Sequence, residues 1–285
     1  MSFTRYSAPL SPAERTEFVP FAHELIGIAV SIIRPLFISG TETITKGDTT
    51  PVTAADRGAE AAMRALIESR YPLHGILGEE FGEKLIDGPA AGAPRYRWVL
   101  DPVDGTRAFI THCFLFGTLI ALERDDGAGY RPVLGAIAHP AAGLALIGHS
   151  EETRLYANDG SERVARVRDC ARIESATVLS TTHWSTSEQR GAKNAARIGG
   201  LTARAKLYRT WGDCFGYFAV ATGGADVMLD PVLAYWDVAA IIPVIEGAGG
   251  RVTSWEGGDP LASPSLIATS GALHDTVLAH LHGGA

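Results

Sequence analysis

The chain has 285 residues and a mass of 30.2 kDa, and 46% of its residues are apolar against 20% charged; a chain so composed buries a core, which excludes disorder. Its 25 Lys and Arg face 32 Asp and Glu, a formal charge of −7, which removes nucleic acid as the main partner because a polyphosphate backbone needs a basic surface. An acidic protein that acts on anions must bring in something cationic, and a bound metal ion is the direct way to do so.

Three cysteines, Cys113, Cys170 and Cys214, are far apart and odd in number, so neither a disulfide framework nor a structural zinc site is expected. The first ten residues lack the apolar run of a signal peptide. The longest apolar stretches, such as residues 238–242, fall short of the roughly 20 residues that span a bilayer. The expectation is a soluble, cytoplasmic protein with no membrane partner.

Ser11-Pro12-Ala13-Glu14 is a capping box with proline at the first helical position. Phe18, Phe21, Leu25, Ile28, Ile32 and Leu36 follow at helical spacing. Pro20 and Pro35 fall inside that span and predict a late start, a kink or an early stop. A second helix is expected from near Thr53 to about Ser69, with Ala59, Met63 and Leu66 inward. The pattern then shortens to strands at 75–77, 98–100, 118–123, 133–139 and 144–148, separated by Gly, Pro and Asp. They predict a mixed sheet backed by the first two helices, and residues 87–94 read as a loop. A second set follows, with strands near 164–167, 177–180, 205–208, 227–229 and 266–269. Its helices are expected near 187–198, 213–222, 236–247 and 273–282. The chain thus divides into an N-terminal half, residues 1–148, and a C-terminal half, residues 149–285. A crevice between two such halves is a usual place for an active site.

The most informative stretch is Trp98-Val99-Leu100-Asp101-Pro102-Val103-Asp104-Gly105-Thr106. A buried strand ends at Asp101, proline takes the chain out of the ladder, and a second carboxylate follows three residues later. Gly105 permits a turn that leaves its own N–H and that of Thr106 unpaired. Two carboxylates converging at a strand end repel each other unless a cation sits between them. Hard oxygen donors with no Cys or His nearby point to Mg²⁺, Mn²⁺ or Ca²⁺. By itself the stretch reads equally as a surface turn. Gly78-Glu79-Glu80 offers a carboxylate at a similar strand end, and Asp56 falls in the first turn of the second helix, at the end of the run from Lys46. Asp237, in Trp236-Asp237-Val238-Ala239-Ala240, starts a helix that is otherwise apolar, where it also reads as a helix cap. The acid-x-acid spacing of an aspartyl-phosphatase, the alternating ligands of an EF-hand and a GxxxxGK[ST] loop are all missing.

In these four ordered motifs, within residues 46–260, the sequence resembles the inositol-monophosphatase superfamily of Mg²⁺-dependent, lithium-sensitive phosphomonoesterases. The resemblance implies a layered α+β fold, an α-β-α-β-α sandwich, and a homodimer. It implies that Glu79, Asp101, Asp104 and Asp237, with the carbonyl of Val103, hold two or three Mg²⁺ ions, Mn²⁺ being the substitute, and that Asp101 bridges two of them. The amides of Gly105 and Thr106 would hold the phosphate. Thr106, hydrogen-bonded to Asp56, would with Glu79 orient the attacking water. None of the nine His residues falls inside the motifs, His183 being the least certain of them.

The segments around the motifs are most similar to histidinol-phosphate phosphatases: Phe116-Gly-Thr-Leu-Ile-Ala-Leu122, Trp211-Gly-Asp-Cys-Phe-Gly-Tyr217, Asp230-Pro231 and Trp255-Glu-Gly-Gly258. Asp213 and Asp230 fall where that family contacts the alcohol of its substrate, and two acids suit an alcohol carrying an amine and an imidazole. Asp213 also reads as a helix N-cap. One departure is Thr111-His112-Cys113, where the family has a Gly- or Pro-containing turn; it either reshapes the pocket mouth or only alters a loop. The alternatives are an inositol-1-phosphate or broad sugar-phosphate phosphatase, a nucleotide phosphatase, and a metal-binding protein without activity.

Overall fold

The computed structural model describes residues 4–45, 51–85, 93–182 and 191–283. Helix α1 (Pro12–Ser39) begins at the predicted box: Ser11 Oγ accepts from the N–H of Glu14, and the Glu14 carboxylate accepts from that of Ser11. The helix is continuous through Pro20 and Pro35, with neither the late start nor the early stop expected of them. The carbonyls these prolines leave without a helical partner belong to Thr16 and Ser31, both exposed, where water can bond them. By length and composition α1 is also long and apolar enough to cross a bilayer, which corrects the expectation that no stretch is. Phe18, Phe21, Leu25, Ala29 and Ile33 nevertheless lie inside the protein.

A ribbon of β1 (Thr43–Thr45) and β2 (Pro51–Thr53) leads into α2 (Ala54–Arg70), which packs on α1. Eight strands then form the first sheet: β3 (Gly75–Gly78), β4 (Gly82–Lys84), β5 (Arg95–Asp104), β6 (Gly117–Asp125), β7 (Arg131–His139), β8 (Leu144–His149), β9 (Glu152–Ala157) and β10 (Glu162–Ala165). Their spatial order is β10-β9-β8-β7-β6-β5-β3-β4, with β3 and β5 parallel and the other pairs antiparallel. A five-residue helix, α3 (Thr106–Ile110), joins β5 to β6. The second sheet has the order β12-β11-β13-β15-β14, built from β11 (Thr177–Ser180), β12 (Leu207–Arg209), β13 (Val227–Asp230), β14 (Gly250–Thr253) and β15 (Leu266–Ser270). Four helices accompany it: α4 (Gly191–Arg204), α5 (Asp213–Ala221), α6 (Tyr235–Gly247) and α7 (His274–Leu281).

Two-residue alternation along the strands sorts the side chains into three cores. On β5 and β6, Trp98, Leu100, Ile120 and Leu122 join α1 and α2, whereas Val99, Leu119 and Ala121 join α5 and α6. On β13 and β15, Met228, Leu266 and Ala268 share that middle core, while Val227, Leu229 and Ile267 face α4 and α7. The middle core surrounds α5 and α6 and the two others lie outside the sheets, so the three cores join five layers, α-β-α-β-α. The middle position explains why α6 is apolar all round: Val238, Ile241, Ile242, Val244 and Ile245 are buried between two sheets, and each large side chain so removed from water stabilises the fold by about 1.5–3 kcal/mol.

The strand expected near 164–167 is β10; it pairs with β9 and extends the first sheet to Ala165, rather than opening the second. Strands β4, β9 and β14 carry no strong alternation in sequence; β4 is Gly-Glu-Lys, its first two residues exposed. Residues 46–50, 86–92 and 187–190, and His183, lie outside the described residues.

Candidate active site

Strand β5 supplies the centre of the site through a bulge. Asp101 pairs with Leu119 and Asp104 with Gly117, so Pro102 and Val103 together face Thr118. Three residues apart on a regular strand, Asp101 and Asp104 would project from opposite faces; the extra residue restores the phase and brings both carboxylates to one side. Proline has no N–H to leave orphaned there, and Thr118 Oγ donates to its carbonyl at 2.7 Å. Asp101 Oδ1 accepts from the N–H of Val103 at 3.1 Å. Gly105 follows with φ +81° and turns the chain into α3, a left-handed conformation that side-chain-bearing residues rarely adopt.

Asp237 arrives from α6, where its carboxylate accepts from the N–H of Ala234 at 2.7 Å. It is therefore not the cap residue, which is Ala234, but the acid at the third helical position that bonds the cap's N–H, and it is also a member of the acidic group. Carboxylate oxygens of Asp101, Asp104 and Asp237 lie within 4.8 Å of one another. Burial pushes the Asp101 carboxyl well above the ordinary carboxylate range, and the charges of Glu79, Asp104 and Asp237 push it further. Asp104 is pushed up to about 7 by burial and then by Asp237, against the opposing N–H of Cys214. Asp237 is likewise pushed up to about 7, by burial and the charge of Glu79. Three crowded carboxylates, all hard oxygen donors and with no ion-pair partner among the described residues, fit a divalent ion of the Mg²⁺ type.

Glu79 stands on the turn after β3, its N–H donating to the carbonyl of Leu100 at 3.2 Å. It lines the same cleft as the three aspartates, although it is not within their 4.8 Å group. Asp56, buried in the first turn of α2, uses both oxygens: Oδ2 accepts the N–H of Thr53 at 2.8 Å and its hydroxyl at 2.5 Å, and Oδ1 accepts the Thr106 hydroxyl at 3.2 Å. The Thr106 hydroxyl has a second acceptor in the carbonyl of Val103 at 3.1 Å. Burial raises the Asp56 carboxyl, and the Thr53 hydrogen bonds oppose it.

The cleft has a volume of about 360 Å³, and Glu79, Asp101, Asp104, Thr106 and Asp237 all line it. Asp213 lines it too. Its backbone is left-handed, φ +49°, its N–H donates to Thr181 Oγ at 3.0 Å, and its carboxylate comes so close to Gly105 that a Cβ there would stand 3.0 Å from Oδ2. Asp213 is the first residue of α5, and the cap position, Gly212, has no side chain to cap with; the N-cap reading of Asp213 does not hold. Asp230 is not among the cleft-lining residues. It is 1% exposed, accepting from the N–H of Thr181 at 3.3 Å and the hydroxyl of Tyr217 at 3.0 Å.

Thr111-His112-Cys113 closes α3 and does not line the cleft. The N–H of His112 donates to Phe109 and that of Cys113 to Ala108, with His112 at φ +55°: a helix ending in which His occupies the place glycine commonly takes. Two residues of interest escaped the sequence reading. Arg107 is the only cation among the described residues lining the cleft, and no motif marks it. Glu60 is fully buried on α2, four residues after Asp56; the signal for it was a carboxylate at an inward helical position.

The inositol monophosphatase family model matches residues 14–284. A bifunctional phosphatase, IMPL2 of the chloroplast, from Arabidopsis thaliana is 36% identical over 265 residues, 92% of this chain and 71% of the relative. A histidinol-phosphatase from Mycobacterium tuberculosis is 36% identical over 248 residues, 84% of this chain and 88% of the relative. A solved structure of an inositol monophosphatase from Zymomonas mobilis, 33% identical, superposes with a TM-score of 0.77 and covers 96% of this chain and 100% of that one.

Proposed function

The chain belongs to the inositol monophosphatase family and is a phosphoric monoester hydrolase; from that premise we propose that it hydrolyses L-histidinol phosphate to L-histidinol and phosphate with Mg²⁺ as cofactor. The observation that carries the substrate is Asp213. A carboxylate held on the wall of the cleft beside Gly105 suits an alcohol bearing a protonated amine and an imidazole, whereas a neutral polyol would use it only as a hydrogen-bond acceptor. Similarity to a histidinol-phosphatase over 84% of the chain supports the same substrate. A place in histidine biosynthesis, a cytoplasmic location and a homodimer belong to this reading.

In it, Glu79, Asp101, Asp104 and Asp237, with the carbonyl of Val103, hold the ions. Bound there, the ions supply positive charge to the phosphoryl oxygens and the departing alkoxide and lower the pKa of a water. The chain's own groups position everything else. The amides of Gly105 and Thr106 would hold the phosphate. Asp56 accepts a hydrogen bond from the Thr106 hydroxyl, so that the hydroxyl's lone pairs, together with Glu79, would orient the attacking water. No Ser, Cys or His nucleophile is needed. Asp213 orients the alcohol, so that binding energy from the non-reacting part fixes the ester bond in place.

The test is kcat/KM for L-histidinol phosphate and inositol 1-phosphate, side by side with Mg²⁺. At least a tenfold preference for the first is expected, about 1.4 kcal/mol; a tenfold preference the other way overturns the substrate. An inositol-phosphate phosphatase is the second reading, favoured by the 33% identity to the Zymomonas mobilis protein.

A further inference from the structure

Glu60 occupies the inner face of α2 with no part of its side chain in water. Its carboxylate accepts the N–H of Glu80 at 2.8 Å on Oε2 and the N–H of Phe81 at 3.2 Å on Oε1. Arg64, one turn on, donates to Oε1 at 2.8 Å and also bonds the carbonyl of Gly82. The middle of the turn between β3 and β4 and its β4 end are therefore tied to one helical turn of α2. The fit leaves no slack: a Cβ on Gly78 would stand 2.0 Å from Glu60 Oε1, so a side chain at 78 and this carboxylate exclude each other.

A buried carboxylate–guanidinium pair is a poor device for stability alone, because apolar residues of similar volume serve as well or better. Two backbone amides aimed at one carboxylate do something else: they set the conformation of the segment that contains them. That segment is Glu79-Glu80-Phe81. Asp56 and Glu60, spaced i and i+4, lie on the same side of α2, and the helix uses the first to hold Thr106 and the second to hold the Glu79 turn.

We propose that Glu60 is a positioning residue for the reaction, aiming Glu79 into the cleft by clamping the backbone amides of Glu80 and Phe81. This rests on the metal-holding role read for Glu79. The full-length protein, freed of metal, is titrated with Mg²⁺ alone by calorimetry and by the rise in Tm, for wild type, Glu60→Gln and Glu79→Gln, with kcat and KM measured in parallel. Partners that orient a metal-holding group are worth about 10–100-fold in metal affinity or activity, so Glu60→Gln should weaken Mg²⁺ binding about tenfold or more. It should lower kcat in step and leave KM at saturating Mg²⁺ within about threefold. A merely structural role lowers Tm and leaves the Mg²⁺ dissociation constant of the folded protein alone; a change below about threefold therefore overturns the proposal. If Glu60→Gln does not fold, Arg64→Met is judged by the same threshold. Should Glu79→Gln leave Mg²⁺ binding untouched, the reading of Glu79 has failed and the clamp with it. Should Glu79→Gln weaken binding while Glu60→Gln does not, only the clamp has failed.

Discussion

Asp101, Asp104 and Asp237 and, outside their group, Asp213 are all carboxylates lining the cleft, yet they are held by opposite means. The first three come from the end of a strand and the first turn of a helix, where a bulge and a cap aim them with ordinary backbone geometry. Their cost is electrostatic, seen in carboxyls driven far above their usual range. Asp213 lies outside that 4.8 Å group and carries a conformational cost, a left-handed φ of +49° on a residue that is not glycine, worth about 1 kcal/mol. A site can thus store its tension as charge, which a cation relieves, or as backbone strain, which only the rest of the fold sustains.

The comparison predicts a separation of chemistry from recognition. Asp101→Asn should abolish turnover while the protein stays folded, and chelation of divalent ions should do the same until Mg²⁺ is restored; activity surviving either would place the chemistry elsewhere. Asp213→Asn should raise KM for L-histidinol phosphate about tenfold and leave KM for an ester of an uncharged alcohol, and the Mg²⁺ requirement, unchanged. Equal effects on both esters would erase the distinction between the trio and Asp213.

Charge stored in the trio should also appear as a pH effect on the metal-free protein. A carboxyl raised in the folded state binds its proton more tightly there than in the unfolded chain, so its contribution is present below the ordinary carboxylate range and is lost as pH rises through about 7. The Tm of metal-free Asp104→Asn, which cannot ionise, should therefore gain on that of wild type between pH 5 and 8. A gap that stays constant with pH would mean that Asp104 is not under this tension. The smallest effect is expected at Arg107, an exposed cation at the edge of the cleft. Arg107→Met should raise the inhibition constant of inorganic phosphate and the KM of every phosphate ester by up to about fivefold, the worth of an exposed charge pair.

Much of the site was legible because its chemistry is written in short runs. Asp101-Pro102-Val103-Asp104-Gly105 carries its own explanation: a strand end, a residue without an N–H, a residue free to take φ +81°. The period-two and helical patterns likewise announced the main strands and helices. What escaped was of another kind. Pro20 and Pro35 break helices in general, yet here their orphaned carbonyls face water. Asp213 read both as a contact to the substrate alcohol and as a helix cap, and only the fold put its carboxylate against Gly105 in the cleft. Asp230, expected beside it, is turned inward to Thr181 and Tyr217.

The amino-acid order alone determined a layered architecture of helices and strands and a set of candidate acids, because local spacing dictates which side chains share a face and which backbone groups lose their partners; the α-β-α-β-α arrangement and the family were legible only through the resemblance of its motifs. Only the folded chain decided which acids meet. Asp56, Glu79, Asp101 and Asp237 are separated by tens of residues, and what brings them together is the packing of α2, the first sheet and α6 around shared cores. That packing also hid the clamp at Glu60, whose partners are the amides of Glu80 and Phe81. Every residue but proline carries such an amide, so no sequence pattern marks them.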